Sequence, residues 1–231
     1  MIDLHSHIIY GVDDGARDVN DSLALLKEAE KYGVTDILLT PHFLENRKLD
    51  INDIKKKFHE LEKLTNIKLY LGNEICIYND IVDDLKSGKA LTINGSNYVL
   101  IELLKSATFS NVFNVIHELK INGYIPIIAH AERYDYYMFD YEFFQRLIDM
   151  GCLLQGNYAS LYGYYGPDCK KMLKYMLKKR MITYLVSDVH RPENQKYVML
   201  GKINRKLWFL HDKTYKNALI CDNAKRILNS K

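Results

Sequence analysis

The sequence predicts an α/β fold, a barrel of seven strand–helix units. Short apolar runs alternate with longer segments of helical period along all 231 residues. The runs are apolar throughout rather than alternating, as parallel strands covered by helices require. Each run also ends in residues able to bind a metal or a substrate, and parallel β/α barrels build their sites at the C-terminal ends of their strands.

The first run is "IDLHSH". If residues 2–7 are a strand, Asp3, His5 and His7 point the same way. A helix is predicted near 21–32, with Asn20 and Asp21 as capping residues and Gly33 as a left-handed stop. The run "VTDILLTPH" follows, then a helix near 51–64; "IKLYLGNEI" precedes one near 79–87, and "NYVLIEL" one near 110–121. "YIPIIAHAE" leads to a helix near 140–149, and "CLLQGN" to one near 168–180. In that helix Met172, Leu173, Met176 and Leu177 form a buried stripe, with Lys170, Lys171, Lys174 and Lys178 outside. After "ITYLVSDVH", helices are expected near 195–210 and 214–228. No repeat, low-complexity stretch or linker interrupts the chain, so residues 1–231 read as one domain.

Composition narrows the function. A net charge of +3 is too mild to argue for nucleic acid or an anionic membrane surface. No stretch approaches the roughly 20 apolar residues of a membrane span, and the first residues do not read as a signal peptide. Cys76, Cys152, Cys169 and Cys221 stand far apart without a CxxC and read as reduced thiols of a cytoplasmic protein. A cysteine phosphatase needs an arginine six positions after its nucleophile. Those positions hold Val82, Tyr158, Tyr175 and Ile227, which excludes that mechanism.

The strand ends carry, in order, His5 and His7, His42, Glu74, Glu102, His130, Gln155 with Asn157, and Asp188 with His190. Each has an ordinary explanation singly: His42 as a loop cap, Glu74 as a turn residue, Asp188 as a helix cap. Jointly they do not, because five of the eight histidines fall at strand ends. His59, His117 and His211 sit among charged helical or loop neighbours and read as surface residues. Imidazole and carboxylate without thiolate suit Mn(II), Fe(II) or Zn(II). There are too many donors for one ion, so a cluster of two or three is expected. Such a cluster lowers the pKa of a bound water and clamps the oxygens of a displacement. Three divalent ions against the charges of Asp14, Glu74, Glu102 and Asp188 leave a positive site, suited to an anion such as phosphate. Arg133, three residues after His130, is placed to hold a phosphate bidentately. Arg191, beside His190, is a second candidate; for both, a surface ion pair is the plain alternative.

The segments "DLHSH", "GVDDGARD", "TPH", "GNE", "IE", "HAERY", "LLQGNYASLYGYYG" and "SDVH" occur in that order. Together they resemble the polymerase and histidinol phosphatase (PHP) superfamily, and within it the metal-dependent protein-tyrosine phosphatases of bacterial capsule and exopolysaccharide systems. The resemblance implies a distorted (β/α)7 TIM-like barrel with a trinuclear centre, most often manganese, with iron or zinc as alternatives. Carried over by position, His5, His7 and Asp188 would hold one ion. Glu74 would bridge to a second, completed by Glu102 and His130. His42 and His190, with Asp14, would hold the third. The alternative role for Asp14 is general acid, with Asp13 sharing that duty or capping the turn. Arg133 matches the arginine expected to engage phosphate.

The implied reaction is attack on phosphotyrosine by a metal-bridged hydroxide, with Arg133 neutralising the phosphoryl oxygens. The implied partner is the flexible C-terminal tail of a bacterial tyrosine kinase that regulates capsule or exopolysaccharide synthesis. Tyr158, Tyr162, Tyr164 and Tyr165 either stack on the substrate ring or pack their own loop. One departure stands out. "HRPE" puts Arg191 and Pro192 directly after His190, where relatives have a longer polar loop before an Arg-Pro pair. Either Arg191 keeps the role of that arginine or the contact is missing. A small-molecule phosphoesterase resembling histidinol phosphatase would use the same metals and is the alternative. A nuclease would want a basic groove, and a non-catalytic scaffold would not need a complete ligand set.

Overall fold

A computed structural model of the chain describes residues 1–45, 49–103 and 109–230. In chain order the strands are β1 (Ile2–Asp3), β2 (Asp36–Leu39), β3 (His42–Phe43), β4 (Lys68–Leu71), β5 (Glu74–Cys76), β6 (Tyr98–Glu102), β7 (Ile125–Ile128), β8 (Leu153–Asn157) and β9 (Tyr184–Val186). The helices between them are α1 (Val19–Lys31), α2 (Ile51–Glu62), α3 (Ile81–Ser87), α4 (Phe109–Ile121), α5 (Tyr141–Asp149) and α6 (Pro167–Lys178). After β9 come α7 (Lys196–Leu200), α8 (Ile203–Lys206), α9 (Lys213–Asn217) and α10 (Asn223–Asn229).

Among the described residues all strand pairing is parallel, in the order β1-β2-β4 and β3-β5-β6-β7-β8-β9. Two of the seven predicted strands are broken. The run 34–42 divides at Thr40 and Pro41, where proline has no amide hydrogen for the ladder. The run 67–75 divides at Gly72 and Asn73. Asn73 replaces strand pairing with its side chain, which donates to Pro41 O at 2.9 Å and accepts from Leu91 N at 2.9 Å. These two chain segments carry one sheet into the other. A parallel bridge between Ser6 and Val189, with His7 N donating to Val189 O at 2.8 Å, joins the last strand's continuation to the first. The result is a distorted barrel of seven strand segments.

Period-two alternation explains the barrel's contents. Leu38, Tyr70, Leu100, Ile127 and Val186 pack inward into one apolar cluster, sealed at the bottom by Ala224, Ile227 and Leu228 of α10. Their neighbours Ile37, Leu39, Val99, Ile101, Ile128 and Leu185 pack outward into the larger core that includes the surrounding helices. Counting upward in twos from the plug leads from Leu38 to His42, from Tyr70 to Glu74, from Leu100 to Glu102 and from Val186 to Asp188 and His190. The same inward face is thus apolar at one end and metal-binding in character at the other.

Three local expectations change. The cap of α1 is Asp18, whose carboxylate accepts from Asn20 N at 2.8 Å and Asp21 N at 3.0 Å, so Asn20 and Asp21 lie inside the helix. Gly33 does stop it, at φ +80°. The helix expected at 195–210 is the short pair α7 and α8. The last helix runs α9 to α10 through a wider π turn at Ala218–Asp222. Among the described residues no helix is long and apolar enough to cross a membrane.

Candidate metal centre

At the C-terminal mouth of the barrel, His5, His7, His42, Glu74, Glu102, His130, Asp188, His190 and Asp14 come together from seven chain segments. His5 and His7 lie beyond the short β1, and Ser6 between them is held by Thr40 and Leu38 O. Asp3 faces away, accepting from Ser187 N at 3.0 Å and Tyr197 OH at 2.9 Å. His130 at φ +28° and Asp188 at φ +49° occupy left-handed backbone that side chains other than glycine seldom adopt. Strain of this kind collects at functional sites, where the surrounding fold imposes it.

Three imidazoles are oriented by their Nδ1 atoms. His5 Nδ1 donates to Gln155 Oε1 at 3.0 Å, His7 Nδ1 to Asp13 Oδ2 at 2.7 Å and His190 Nδ1 to the Asp188 carbonyl at 3.0 Å. Each bond selects the tautomer whose bare Nε2 faces the centre, the usual arrangement behind a metal-binding histidine. His5 Nε2 and His7 Nε2 then stand 3.1 Å apart, and each is 3.2 Å from Glu74 Oε2. Donors bound about 2.1 Å from one ion lie about 3.0–3.4 Å from each other, so this triangle has the edge lengths of a coordination polyhedron. Without a cation, two bare nitrogens and a buried carboxylate would face one another uncompensated.

Glu74 presents different oxygens to different neighbours. Oε1 is 3.0 Å from His130 Nε2, while Oε2 faces His5 and His7 and lies 3.0 Å from His42 Nδ1. Both Glu74 Oε2 and His42 Nδ1 are buried without a hydrogen-bond partner. Such orphaned donors in a wholly polar nest fit ions rather than water-free packing. Although burial pushes its pKa up, the electrostatic influence of His5 and hydrogen bonding with His130, His42 and His5 hold Glu74 well below the usual carboxylate range. Glu102 Oε1 is 3.6 Å from His130 Nε2, and its Oε2 accepts the Cys76 thiol at 3.0 Å.

Three compact donor groups result: His5, His7 and Glu74; His42, Glu74 and Glu102; and His7, Asp14, His42 and His190. The sequence-based grouping and this one share the central position of Glu74. They differ in that Glu74 rather than Asp188 joins His5 and His7, and His42 rather than His130 joins Glu74 and Glu102. His7, whose ring stacks on that of His190 at 4.0 Å, also joins Asp14, His42 and His190. Asp14 Oδ1 lies 3.5 Å from His42 Nε2 and 3.6 Å from His190 Nε2, on the solvent side.

Asp188 divides its two oxygens. Oδ1 faces His5 at 3.5 Å, His7 at 3.6 Å and His190 at 3.4 Å. Oδ2 receives Arg133 Nη1 at 2.5 Å and Asn157 Nδ2 at 2.9 Å, with Lys196 Nζ 3.8 Å away. Burial opposes ionisation, but Lys196, His5, His190 and Arg133 together hold Asp188 well below the usual carboxylate range. Arg133 is therefore engaged with Asp188 while bordering the cleft. Arg191 borders it too, together with Asp14, Tyr164, Tyr165, His190, Asn194 and Lys196, around a volume of ≈ 410 Å³.

Several contributors were not read as such from sequence. Asp13 orients His7 and also accepts from His42 N at 3.0 Å and Gly15 N at 2.9 Å. Gly15 is obligatory, since a Cβ there would lie 2.1 Å from His7 O. Gln155 and Asn157, expected as ligands or substrate contacts, orient His5 and Asp188 instead. Buried Lys196 carried no signal, because "QKYVML" reads as an ordinary helix start. Buried Glu132 ties two loops together, accepting from Asn157 N at 2.9 Å and Ser160 Oγ at 2.6 Å. His59, His117 and His211 are exposed, as expected.

Comparison with known proteins gives concordant matches. Residues 1–229 match the family described as capsular polysaccharide synthesis, CpsB/CapC. CapC of Staphylococcus aureus is 36% identical over 214 residues, covering 90% of this chain and 84% of that protein. The tyrosine-protein phosphatase CpsB of Streptococcus agalactiae is 28% identical over 241 residues, covering 100% and 99%. A solved structure from work on YwqE of Bacillus subtilis and CpsB of Streptococcus pneumoniae, described as unique metal-dependent tyrosine phosphatases, superposes with a TM-score of 0.85 at 25% identity, covering 100% and 96%.

Proposed function

The chain belongs to the CpsB/CapC family of capsular polysaccharide synthesis, and from that premise we propose that it is a metal-dependent phosphatase hydrolysing phosphotyrosine in proteins. The observation that carries this reading is the triangle of His5 Nε2, His7 Nε2 and Glu74 Oε2 beneath a cleft bordered by Arg133. We assign nine ligands, His5, His7, Asp14, His42, Glu74, Glu102, His130, Asp188 and His190, to three divalent ions, Mn(II) before Fe or Zn. The nitrogen- and oxygen-only donor set suits all three metals, and the order among them follows the family resemblance. Bound ions would neutralise the phosphoryl group and supply an activated water.

The protein's own groups do the rest. Asp13, Gln155 and the Asp188 carbonyl hold three imidazoles in one tautomer. Arg133, anchored through Nη1 on Asp188, keeps the remainder of its guanidinium for phosphate oxygens in the cleft. Arg191 provides a second positive charge at the same cleft. The distances of Asp14 to His42 and His190 support counting it among the ligands. Its other candidate role, protonating the leaving phenolate, is separable: Asp14→Asn would then slow phenyl phosphate far more than p-nitrophenyl phosphate, whose leaving group needs no proton.

The protein substrate is proposed to be the C-terminal tail of a bacterial tyrosine kinase governing capsule or exopolysaccharide synthesis, in the cytoplasm. Family membership supports the first part, and four free cysteines support the second. The test is hydrolysis of a phosphotyrosine peptide before and after EDTA, then with Mn(II) restored, beside His5→Ala. Activity lost to chelator, regained with Mn(II) and absent in the variant supports the reading. Full metal loading with no turnover of the peptide overturns it in favour of a small-molecule phosphoesterase.

A further inference from the structure

We propose that Tyr164 recognises the aromatic ring of the substrate, and that an Arg133–Tyr165–Lys196 stack is the rigid wall supporting it. The proposal deepens the phosphotyrosine reading and rests on it. The four tyrosines of "NYASLYGYYG" are chemically alike in sequence, and the fold assigns them different tasks. Tyr158 is 1% exposed and belongs to the core. Tyr162 donates its hydroxyl to Met199 O at 2.7 Å, fastening the loop to α7. Two cations lie against the Tyr165 ring, with the Arg133 guanidinium carbon 4.2 Å and Lys196 Nζ 5.3 Å from its centre. Its hydroxyl reaches Asn157 Nδ2 at 3.4 Å.

Tyr164 differs from all three. It and Tyr165 border the same cleft, with Arg133, Asp14 and His190, but of the two only Tyr164 is exposed there, at 45%. Its ring meets Tyr165 edge to face at 4.9 Å and 73°, a favourable arrangement of two quadrupoles. Lys196 Nζ lies 5.7 Å from the centre of that ring as well. Lys196 itself is 2% exposed and bonds the Asp188 carbonyl, so its ammonium is a fixed support. The backbone is fixed too, with Gly163 N bonded to Ser160 O at 2.9 Å and Tyr164 N to Ala159 O at 3.2 Å. An aromatic ring held this firmly at the mouth of a phosphate cleft loses little freedom on meeting a second ring. A phenyl phosphate gains that contact; an alkyl phosphate of the same charge does not.

The test uses the metal-loaded full chain and two unreactive probes, phenylphosphonate and methylphosphonate, titrated calorimetrically and as competitive inhibitors. Tyr164→Ala is expected to weaken phenylphosphonate about three- to tenfold, the scale of one aromatic contact, and to leave methylphosphonate within error. Tyr164→Phe retains the preference, and Lys196→Met reduces it in the same direction as Tyr164→Ala. Equal weakening of both probes, or no change for phenylphosphonate in Tyr164→Ala, overturns the proposal. An unchanged preference in Lys196→Met overturns the supporting wall. The two readings fail separately: wild type that binds phenylphosphonate through Tyr164 without hydrolysing phosphotyrosine peptide defeats the function, not the ring contact.

Discussion

Asp13 Oδ2 stands 2.7 Å from His7 Nδ1 and also accepts from the backbone of His42. One carboxylate thereby positions two imidazoles without facing the centre. Burial works against its charge, but the His7 hydrogen bond and the two backbone donors hold it well below the usual carboxylate range. Asp13→Asn should lower Mn(II) affinity about tenfold, at the small end of losses known for residues behind metal ligands. Metal titration of the folded variant checks it; unchanged affinity would make Asp13 a turn residue only.

Removing the ions should loosen the whole mouth. His7, His42 and His190 crowd together, with ring centres 4.4 Å and 4.0 Å from His7. At a metal concentration 100 times the dissociation constant, binding stabilises the native state by about 2.7 kcal/mol. For a chain of this size that raises Tm by about 5–10 °C. Calorimetry of apo and Mn(II)-loaded protein measures the difference, and equal Tm values would argue against a preformed site.

Gly15→Ala should fail where most glycine-to-alanine changes are mild. The new Cβ would meet His7 O at 2.1 Å and His7 Cβ at 2.5 Å, contacts that only movement of the backbone relieves. We expect a destabilisation of about 1–3 kcal/mol together with loss of metal binding. Denaturant unfolding and elemental analysis read the two effects.

Arg133→Ala should reduce kcat/KM for phosphotyrosine peptide about 100-fold or more, the scale of a lost oxyanion donor. Arg133→Lys should recover little, since an ammonium cannot bond Asp188 Oδ2 at 2.5 Å and still present a planar fork over Tyr165. Steady-state kinetics separates the variants; a fully active lysine form would reduce the role to charge alone.

Burial pushes the Cys152 thiol up to about 12 and Cys169 to about 11. The unfolded chain binds fewer protons than the native one once pH exceeds the ordinary thiol value of about 8.5. Native stability from these two thiols is therefore complete below that pH and declines as pH rises toward their folded values. Alkylation at pH 8 should label the half-exposed Cys221 long before Cys152. Equal labelling of the two would mean that the α5–β8 region opens readily.

Much of the fold and most of the donor residues were legible in the sequence. Strand runs and helices follow from local periodicity, and Glu74, Glu102, Asp188 and His190 follow from their places at the ends of those runs. The breaks at Pro41 and Asn73 were not, because they depend on how two sheets share a segment. Nor was the orientation of Asp3, which shares its parity with His5 and His7 yet serves Ser187 and Tyr197.

By itself the sequence determined which chemistry was available: an imidazole and carboxylate set at the ends of parallel strands, with an arginine close behind, in a pattern shared with metal-dependent phosphatases. Only tertiary structure decided how those groups are used. It turned Asp13 and Gln155 into supports, gave Asp188 one oxygen for Arg133 and one for the imidazoles, and put a buried Lys196 behind Tyr165. The reason is physical. Residue type and period are written locally, whereas a donor's orientation is set by hydrogen bonds to partners as much as 150 residues away, as with His5 and Gln155.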